Sequence, residues 1–356
     1  MESGHYPLSP TATPKRILFC QLRQVGDVIV STICIEMLAK AFPDAEIHFV
    51  TEQKCVPILE NNPHIYKVWS LNKAELSSLL REFAFYRKVT SNEFDLVVNC
   101  QHLPRCTTLV IFSRAKRKLA LNAPWHTRWL YTNNTIPTPG YAGAFKSQIL
   151  KPLGLEWRKE RPRIYLTDKE RAAAKDSFQQ LGVAGAPVIS VDSTHRDAAR
   201  RWPAKHYAAL LDAFGTARPD LRFFLAYGPV EKAEAEAVRA LSKYPKRLLL
   251  PEEVTGLRHL AACIDRCIMH IGNCSAPRHM AVALDVPSLT FIGAGSSAWT
   301  FPSPEHVALS PKIKNSLLPE EIKYANALDC MDKLTPVLAL PKLIGHFDSF
   351  ALKPRS

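Results

Sequence analysis

None of the nine cysteines is spaced as C-x-x-C, and none joins histidines in a metal-ligand array. Neither a disulfide framework nor a zinc module is therefore encoded. Cys20, Cys34, Cys100 and Cys267 lie inside apolar runs and read as small, reduced core residues of a cytoplasmic protein. The chain lacks G-x-G-x-x-G, which removes the dinucleotide fingerprint. No apolar run approaches the ~18 residues of a membrane span. Residues 1–15 are polar and proline-rich, without the apolar segment of a signal peptide. Internal repeats and low-complexity tracts are also missing. The expectation is a soluble protein that meets a membrane only at its surface.

At 356 residues, 47% of them hydrophobic, the chain suits two domains, each large enough to bury its own core. Its net charge of +13 calls for an acidic partner: nucleic acid, anionic lipid or a phosphorylated small molecule. The charge concentrates locally at Arg114–Lys118, Arg158–Arg163 and Arg196–Arg201. No nucleic-acid module is recognisable and the basic residues form no single stripe, so nucleic acid is the least favoured of the three.

The chain is organised around residues 16–42. Ile17 to Cys20 form an apolar run that reads as a buried strand. Val28, Ile29, Ile33, Met37 and Leu38 then recur at helical spacing, up to Phe42 before Pro43. Between them lies a bend with Gly26 and a carboxylate, Asp27. Ligands of open α/β sheets bind in such strand-to-helix turns. Asp27 reads either as a first-turn cap, the commoner role for an isolated Gly-Asp pair, or as a base at the edge of a cleft.

Strands are expected at Glu46–Val50, Tyr66–Trp69 and Phe94–Cys100, and a helix over 76–86 with Leu76, Leu79, Leu80, Phe83 and Tyr86 on one side. A loop and helix carrying His102 and Arg105 follow. From Lys118 to Gly143 the pattern weakens, and Trp125, His126, Arg128, Trp129 and Tyr131 crowd together. Such a cluster stacks on sugars or, more commonly, packs beneath a loop. After a polar stretch ending near Pro162, strands are expected at 187–191, 222–227, 247–250, 267–271 and 286–292, the last closed by Gly293-Ala294-Gly295. The loop Asp192–Pro203 leads into a helix, and Gly272–Pro277 is a tight turn launching another over His279–Leu284. Strands alternating with helices predict parallel, doubly wound sheets, with a ligand cleft between residues ~20–130 and ~190–300.

In this order the pieces resemble glycosyltransferase family 9, the bacterial heptosyltransferases of the lipopolysaccharide inner core. The resemblance rests on Arg23 with Gly26-Asp27-Val28 and Ser31-Thr32, on Phe42-Pro43-Asp44-Ala45-Glu46-Ile47, and on Phe94–Val98 with Ala115-Lys116-Arg117. It also rests on Arg200-Arg201-Trp202-Pro203 and on the run from Gly272 to Ala281. It implies an α/β, GT-B fold of two Rossmann-like domains: an acceptor domain over 1–165, a nucleotide-sugar domain over 166–335, and a segment 336–356 packing back on the first. It further implies inverting transfer without a metal or other cofactor, from ADP-heptose to the lipopolysaccharide core, by a cytoplasmic enzyme at the inner face of the cytoplasmic membrane.

Asp27 is then the expected base and Arg200 the diphosphate clamp, since a guanidinium is permanently charged and bonds two oxygens at once. Asn273, Ser275, Ala276 and the following His279 line the donor turn, whose helix amides suit a diphosphate. Glu231 is placed for a ribose or base, and Arg23, His102 and Arg105 for an anionic acceptor. Three positions depart from the family pattern: Arg200 where lysine is common, Cys274 where an acid is usual, and Ala276 where glycine is usual. They motivate a second reading, a protein of the same fold that binds another nucleotide-sugar or has lost catalysis.

Overall fold

The computed structural model describes residues 13–183, 185–253, 256–293, 297–310 and 331–351. The expected closure at Ala294 and Gly295 and the polar residues 1–12 lie outside them. Contacts divide the chain into two compact units, Met1–Pro162 and Arg163–Ser356.

In the first unit the apolar runs become β1 (Arg16–Cys20), β2 (Glu46–Glu52), β3 (Lys67–Leu71) and β4 (Leu96–Asn99). Two further strands, β5 (Arg117–Leu121) and β6 (Asn133–Thr135), complete a parallel sheet ordered β3-β2-β1-β4-β5-β6. Ile17 pairs with Ile47 on one side and Leu96 on the other. The run is continuously apolar because both faces of a central parallel strand are covered. The order reverses between β1 and β4, and that switch point is where such sheets hold ligands. β6 was not legible because none of its three residues is fully buried and it carries no apolar run.

Helix α1 (Val25–Ala41) follows β1 and is buried almost all round, from Val28 to Ile35. Then come α2 (Val56–Leu59), α3 (Leu79–Thr90), α4 (Pro104–Phe112) and α5 (Ala142–Ser147). In α3, Tyr86 and Val89 face the core, whereas Leu79 and Leu80 are 87% and 84% exposed. The helix expected at 76–86 lies at 79–90, with Leu76 ahead of it, and part of its apolar side faces solvent.

The second unit opens with α6 (Asp168–Gln180), capped by Thr167 and Glu170 in a reciprocal capping box. Its sheet comprises β7 (Val188–Asp192), β8 (Arg222–Ala226), β9 (Leu248–Leu249), β10 (Met269–Asn273), β11 (Ser288–Phe291) and β12 (His306–Leu309), in the order β12-β11-β10-β7-β8-β9. Here the switch point lies between β7 and β10. Helices α7 (Ala204–Ala217), α8 (Lys232–Leu241), α9 (Leu257–Arg266) and α10 (Ala276–Ala283) alternate with the strands. Trp202 is fully buried, stacks on Phe291 at 4.0 Å and donates from Nε1 to the Leu334 carbonyl at 2.7 Å.

The C-terminal helix Pro336–His346 packs on α7, and Ala339, Leu343 and Phe347 join the second unit's own core. The segment 336–356 was expected to pack on the first domain; its described part contributes to the core of the second unit. The apolar face of the helix is covered by this core, which also holds Trp202.

Candidate active site

At the first switch point the loop after β1 is gripped by the loop after β4. Gln101 Oε1 accepts from the amides of Leu22 and Arg23 at 2.9 and 3.2 Å, and its Nε2 donates to the Arg23 carbonyl. Asp27 is the third residue of α1. Its Oδ2 accepts from the Gln24 amide at 3.3 Å, as a first-turn acid does. Its Oδ1 lies 3.0 Å from Nζ of Lys146, with the two side chains 27% and 11% exposed. Lys146 Nζ also donates to Gln21 Oε1 at 3.1 Å, so one buried ammonium ties α5 to α1 and to the β1 loop.

This approach depends on a glycine. A Cβ on Gly143 would sit 2.4 Å from Ile33 Cδ1 and 2.5 Å from a ring atom of Tyr141. Only a residue without a side chain lets α5 lie this close to α1. Asp27 is therefore a first-turn cap whose carboxylate is held by two donors, one on each oxygen. Lys146 was not among the expected site residues; it stands far from any motif, and only the helix packing brings it in.

A cavity of ≈ 330 Å³ opens at the carboxyl ends of β4 and β5, lined by His102, Thr107, Thr108, His126 and Thr127 with Pro104 and Pro124. His102 Nε2 lies 2.6 Å from the Leu121 carbonyl and so carries the proton, leaving Nδ1 without a partner among the described residues. Arg23 is half-buried beside the β1 turn. Arg105, expected to meet the acceptor, has a partner inside the protein. It pairs with Glu82 of α3, Nε at 3.0 Å, and this hydrogen bond holds the Glu82 carboxyl below the usual range. From the first turn of α4 its side chain meets α3, so it ties two helices together. The aromatic cluster divides: Tyr131 is buried and accepts from Asn99 at 2.7 Å, while Trp125 and Trp129 are 88% and 78% exposed.

At the second switch point a polar network surrounds the expected tight turn. Asp192, buried at the end of β7, accepts from Thr194 Oγ1 at 3.1 Å and from Ser275 Oγ. Thr194 Oγ1 also lies 2.8 Å from Glu231 Oε2, which accepts the Gly228 amide at 2.9 Å. Burial pushes the Asp192 carboxyl up to about 7, and the nearby Glu231 charge adds to this. A threonine hydroxyl has one proton, so it serves both carboxylates fully only when Asp192 is itself protonated and donates. A Cβ on Gly272 would come within 3.0 Å of the Asp192 carbonyl, which explains a glycine in β10 there.

Asn273 is fully buried and works inside the protein. Its Oδ1 accepts from the Trp202 amide at 2.9 Å and lies 3.1 Å from the Tyr207 hydroxyl, and its Nδ2 donates to the Thr194 carbonyl at 3.2 Å. It braces the Arg200–Trp202 loop, so its side chain is not offered to a ligand. Ser275, the N-cap of α10, turns its hydroxyl inward to Asp192. His279 is buried against Trp299, with ring centroids 5.7 Å apart. Burial and Arg278 depress it to about 3, so it is neutral near pH 7 and adds no positive charge. Arg278 donates to Cys274 Sγ at 3.1 Å and to Thr300 at 2.6 Å. Arg200 is exposed, 3.7 Å from Asp197, and Ala276 is half-exposed at the first turn of α10.

A family model described as glycosyltransferase family 9 (heptosyltransferase) matches residues 82–327. The chain belongs to glycosyltransferase family 9. Lipopolysaccharide heptosyltransferase 3 of Escherichia coli is 25% identical over 340 residues, 88% of this chain and 98% of that protein. Lipopolysaccharide heptosyltransferase 1 of Campylobacter coli is 23% identical, over 79% of this chain and 85% of that one. Among solved structures, the family 9 glycosyltransferase of Veillonella parvula superposes with a TM-score of 0.83 at 22% identity, covering 96% of this chain and 98% of that one. ADP-heptose lipopolysaccharide heptosyltransferase II of E. coli gives 0.74 at 17% identity, with 94% and 99% covered. This family 9 protein is therefore a glycosyltransferase of GT-B fold, each unit a Rossmann-like domain. Among its described residues no helix is long and apolar enough to cross a membrane.

Proposed function

We propose that this family 9 enzyme transfers a heptose from ADP-heptose to the lipopolysaccharide inner core, with inversion and without a metal. The observation that carries the reading is Asp27, half-exposed beside the first switch point and oriented through both oxygens by Lys146 and the Gln24 amide. In an inverting transfer the acceptor hydroxyl gives its proton to a base as its oxygen bonds to the anomeric carbon. The bond to the diphosphate breaks on the opposite face. Asp27 takes that proton. Arg200 and the amides opening α10 stabilise the departing diphosphate, the task a metal otherwise performs. Glu231, pinned through Oε2, holds the donor's ribose, and the cavity beside His102 receives acceptor sugar. The acceptor is lipid-borne, so the enzyme works at the inner face of the cytoplasmic membrane.

The test is transfer from ADP-heptose to a deacylated core acceptor, with the anomeric configuration of the product read by NMR. Asp27→Asn should lose at least ~10³-fold in kcat while donor binding and Tm stay near the wild type. Unchanged turnover would remove Asp27 from the chemistry. A second reading, the same chemistry with another nucleotide-sugar, is favoured by Cys274 against Arg278, where the family carries an acid. Stabilisation by UDP, GDP or CMP compounds in place of ADP compounds would select it.

A further inference from the structure

The exposed arc of α3 is apolar at its centre and basic at its edges. Leu79, Leu80 and Phe83 are 87%, 84% and 50% exposed. Phe83 packs edge-on against Phe112 of α4, ring centroids 4.8 Å apart, and Ile111 beside it is 55% exposed. At helical spacing Arg87 continues the Leu79–Phe83 stripe, while Arg81 and Lys88 flank Leu80 from the other side. All three cations are exposed. The one acid on this helix, Glu82, is turned away and consumed by Arg105. Just past α4, Arg114 and Lys116 add two more exposed cations.

From this we infer that the α3 face, with Ile111 of α4, docks on an anionic lipid bilayer. Apolar side chains enter the headgroup boundary while the flanking cations meet lipid phosphates, as in interfacial amphipathic helices. A protein partner matched to this face would need an acidic, apolar surface. The bilayer offers that chemistry without shape matching, and the chain's surplus of +13 has the sign for it. The same α4 contributes Thr107 and Thr108 to the cavity beside His102. The inference rests on the reading of a lipid-borne acceptor, and it assigns the face that meets the lipid.

The experiment is co-sedimentation of the full chain with vesicles of phosphatidylglycerol and phosphatidylcholine, or of phosphatidylcholine alone. The wild type should bind the anionic vesicles, lose affinity as salt rises from about 0.05 to about 0.5 M, and bind the neutral ones weakly. Leu79→Ser with Leu80→Ser and Phe83→Ser, and separately Arg87→Glu with Lys88→Glu, should each bind roughly tenfold more weakly, with Tm unchanged in the second and lowered in the first only by the lost Phe83–Phe112 contact. Transfer to a deacylated, soluble acceptor should be the same in all three proteins. Transfer to vesicle-borne acceptor should fall in both variants. Equal sedimentation of wild type and variants overturns the proposal. So does a dimer abolished by the triple variant without vesicle binding, which would give the face to a second copy. Absence of transfer to the soluble acceptor in the wild type would instead count against the proposed reaction, leaving vesicle binding to be judged separately.

Discussion

Gly143→Ala separates helix propensity from packing. Gly143 lies inside α5, where propensity alone favours alanine by ~0.5–1 kcal/mol. The structure predicts the opposite sign. The new methyl would sit 2.4 Å from Ile33 Cδ1, against an ordinary contact of 3.4–4 Å, so one group must yield by about 1 Å. Ile33 is fully buried and Tyr141 nearly so, which leaves neither an open direction of retreat. Overpacking of this kind costs ~1–3 kcal/mol. For a domain of this size that lowers Tm by roughly 2–12 °C. The effect on chemistry should be larger than the effect on stability. Lys146 stands one turn along the same helix, 3.0 Å from Asp27 Oδ1, so a shift of α5 reorients the proposed base. A displacement of ~1 Å at a reacting group costs about 10²-fold in rate. Calorimetry and initial-rate kinetics on the same preparation decide the matter. A Tm at or above the wild type with unchanged kcat would refute the claim that Gly143 sets the α5–α1 distance and, through it, the geometry of Asp27.

Arg200→Ala should lower kcat/KM for the nucleotide-sugar about tenfold or more with Tm unchanged, because Arg200 is exposed and its pairing with Asp197 is loose; an unchanged kcat/KM would return it to the solvated surface. Arg105→Ala should cost about 1 kcal/mol of stability through the loss of its pair with Glu82, leaving acceptor KM as in the wild type. A raised acceptor KM would restore Arg105 as an acceptor contact. Asp192 holds its proton to about 7 when folded and to about 4 when unfolded. Its contribution to stability is therefore complete below about 4 and falls away as pH rises towards 7. Asp192→Asn, whose amide supplies a donor to Thr194 and keeps an acceptor for Ser275, should flatten that decline in denaturant midpoints measured between pH 4 and 8; a parallel curve would show that Asp192 does not titrate there.

Much of the architecture was legible because buried parallel strands are continuous apolar runs. β1, β2, β4, β7, β8 and β10 were foreseen within a few residues. The capping box at Thr167 and Glu170 is likewise a local signal and marks the start of α6. β5 was obscured because its buried run, Leu119–Leu121, is only three residues long behind two cations, and β6 because none of its residues is fully covered.

The residues by themselves determined which elements form and where the two strand-to-helix turns lie, because apolar periodicity and glycine placement are local properties. They also carried Asp27 and Arg200, whose neighbours in sequence mark them. Only the tertiary structure decided what each side chain meets. Asn273 and Ser275 turn inward because β7 passes beside β10, and Arg105 turns to α3 because α4 lies against it. Lys146 reaches Asp27 across more than a hundred residues because Gly143 lets two helices touch. The face of α3 that the core leaves uncovered is likewise a matter of packing, since helical spacing specifies a stripe but not what covers it.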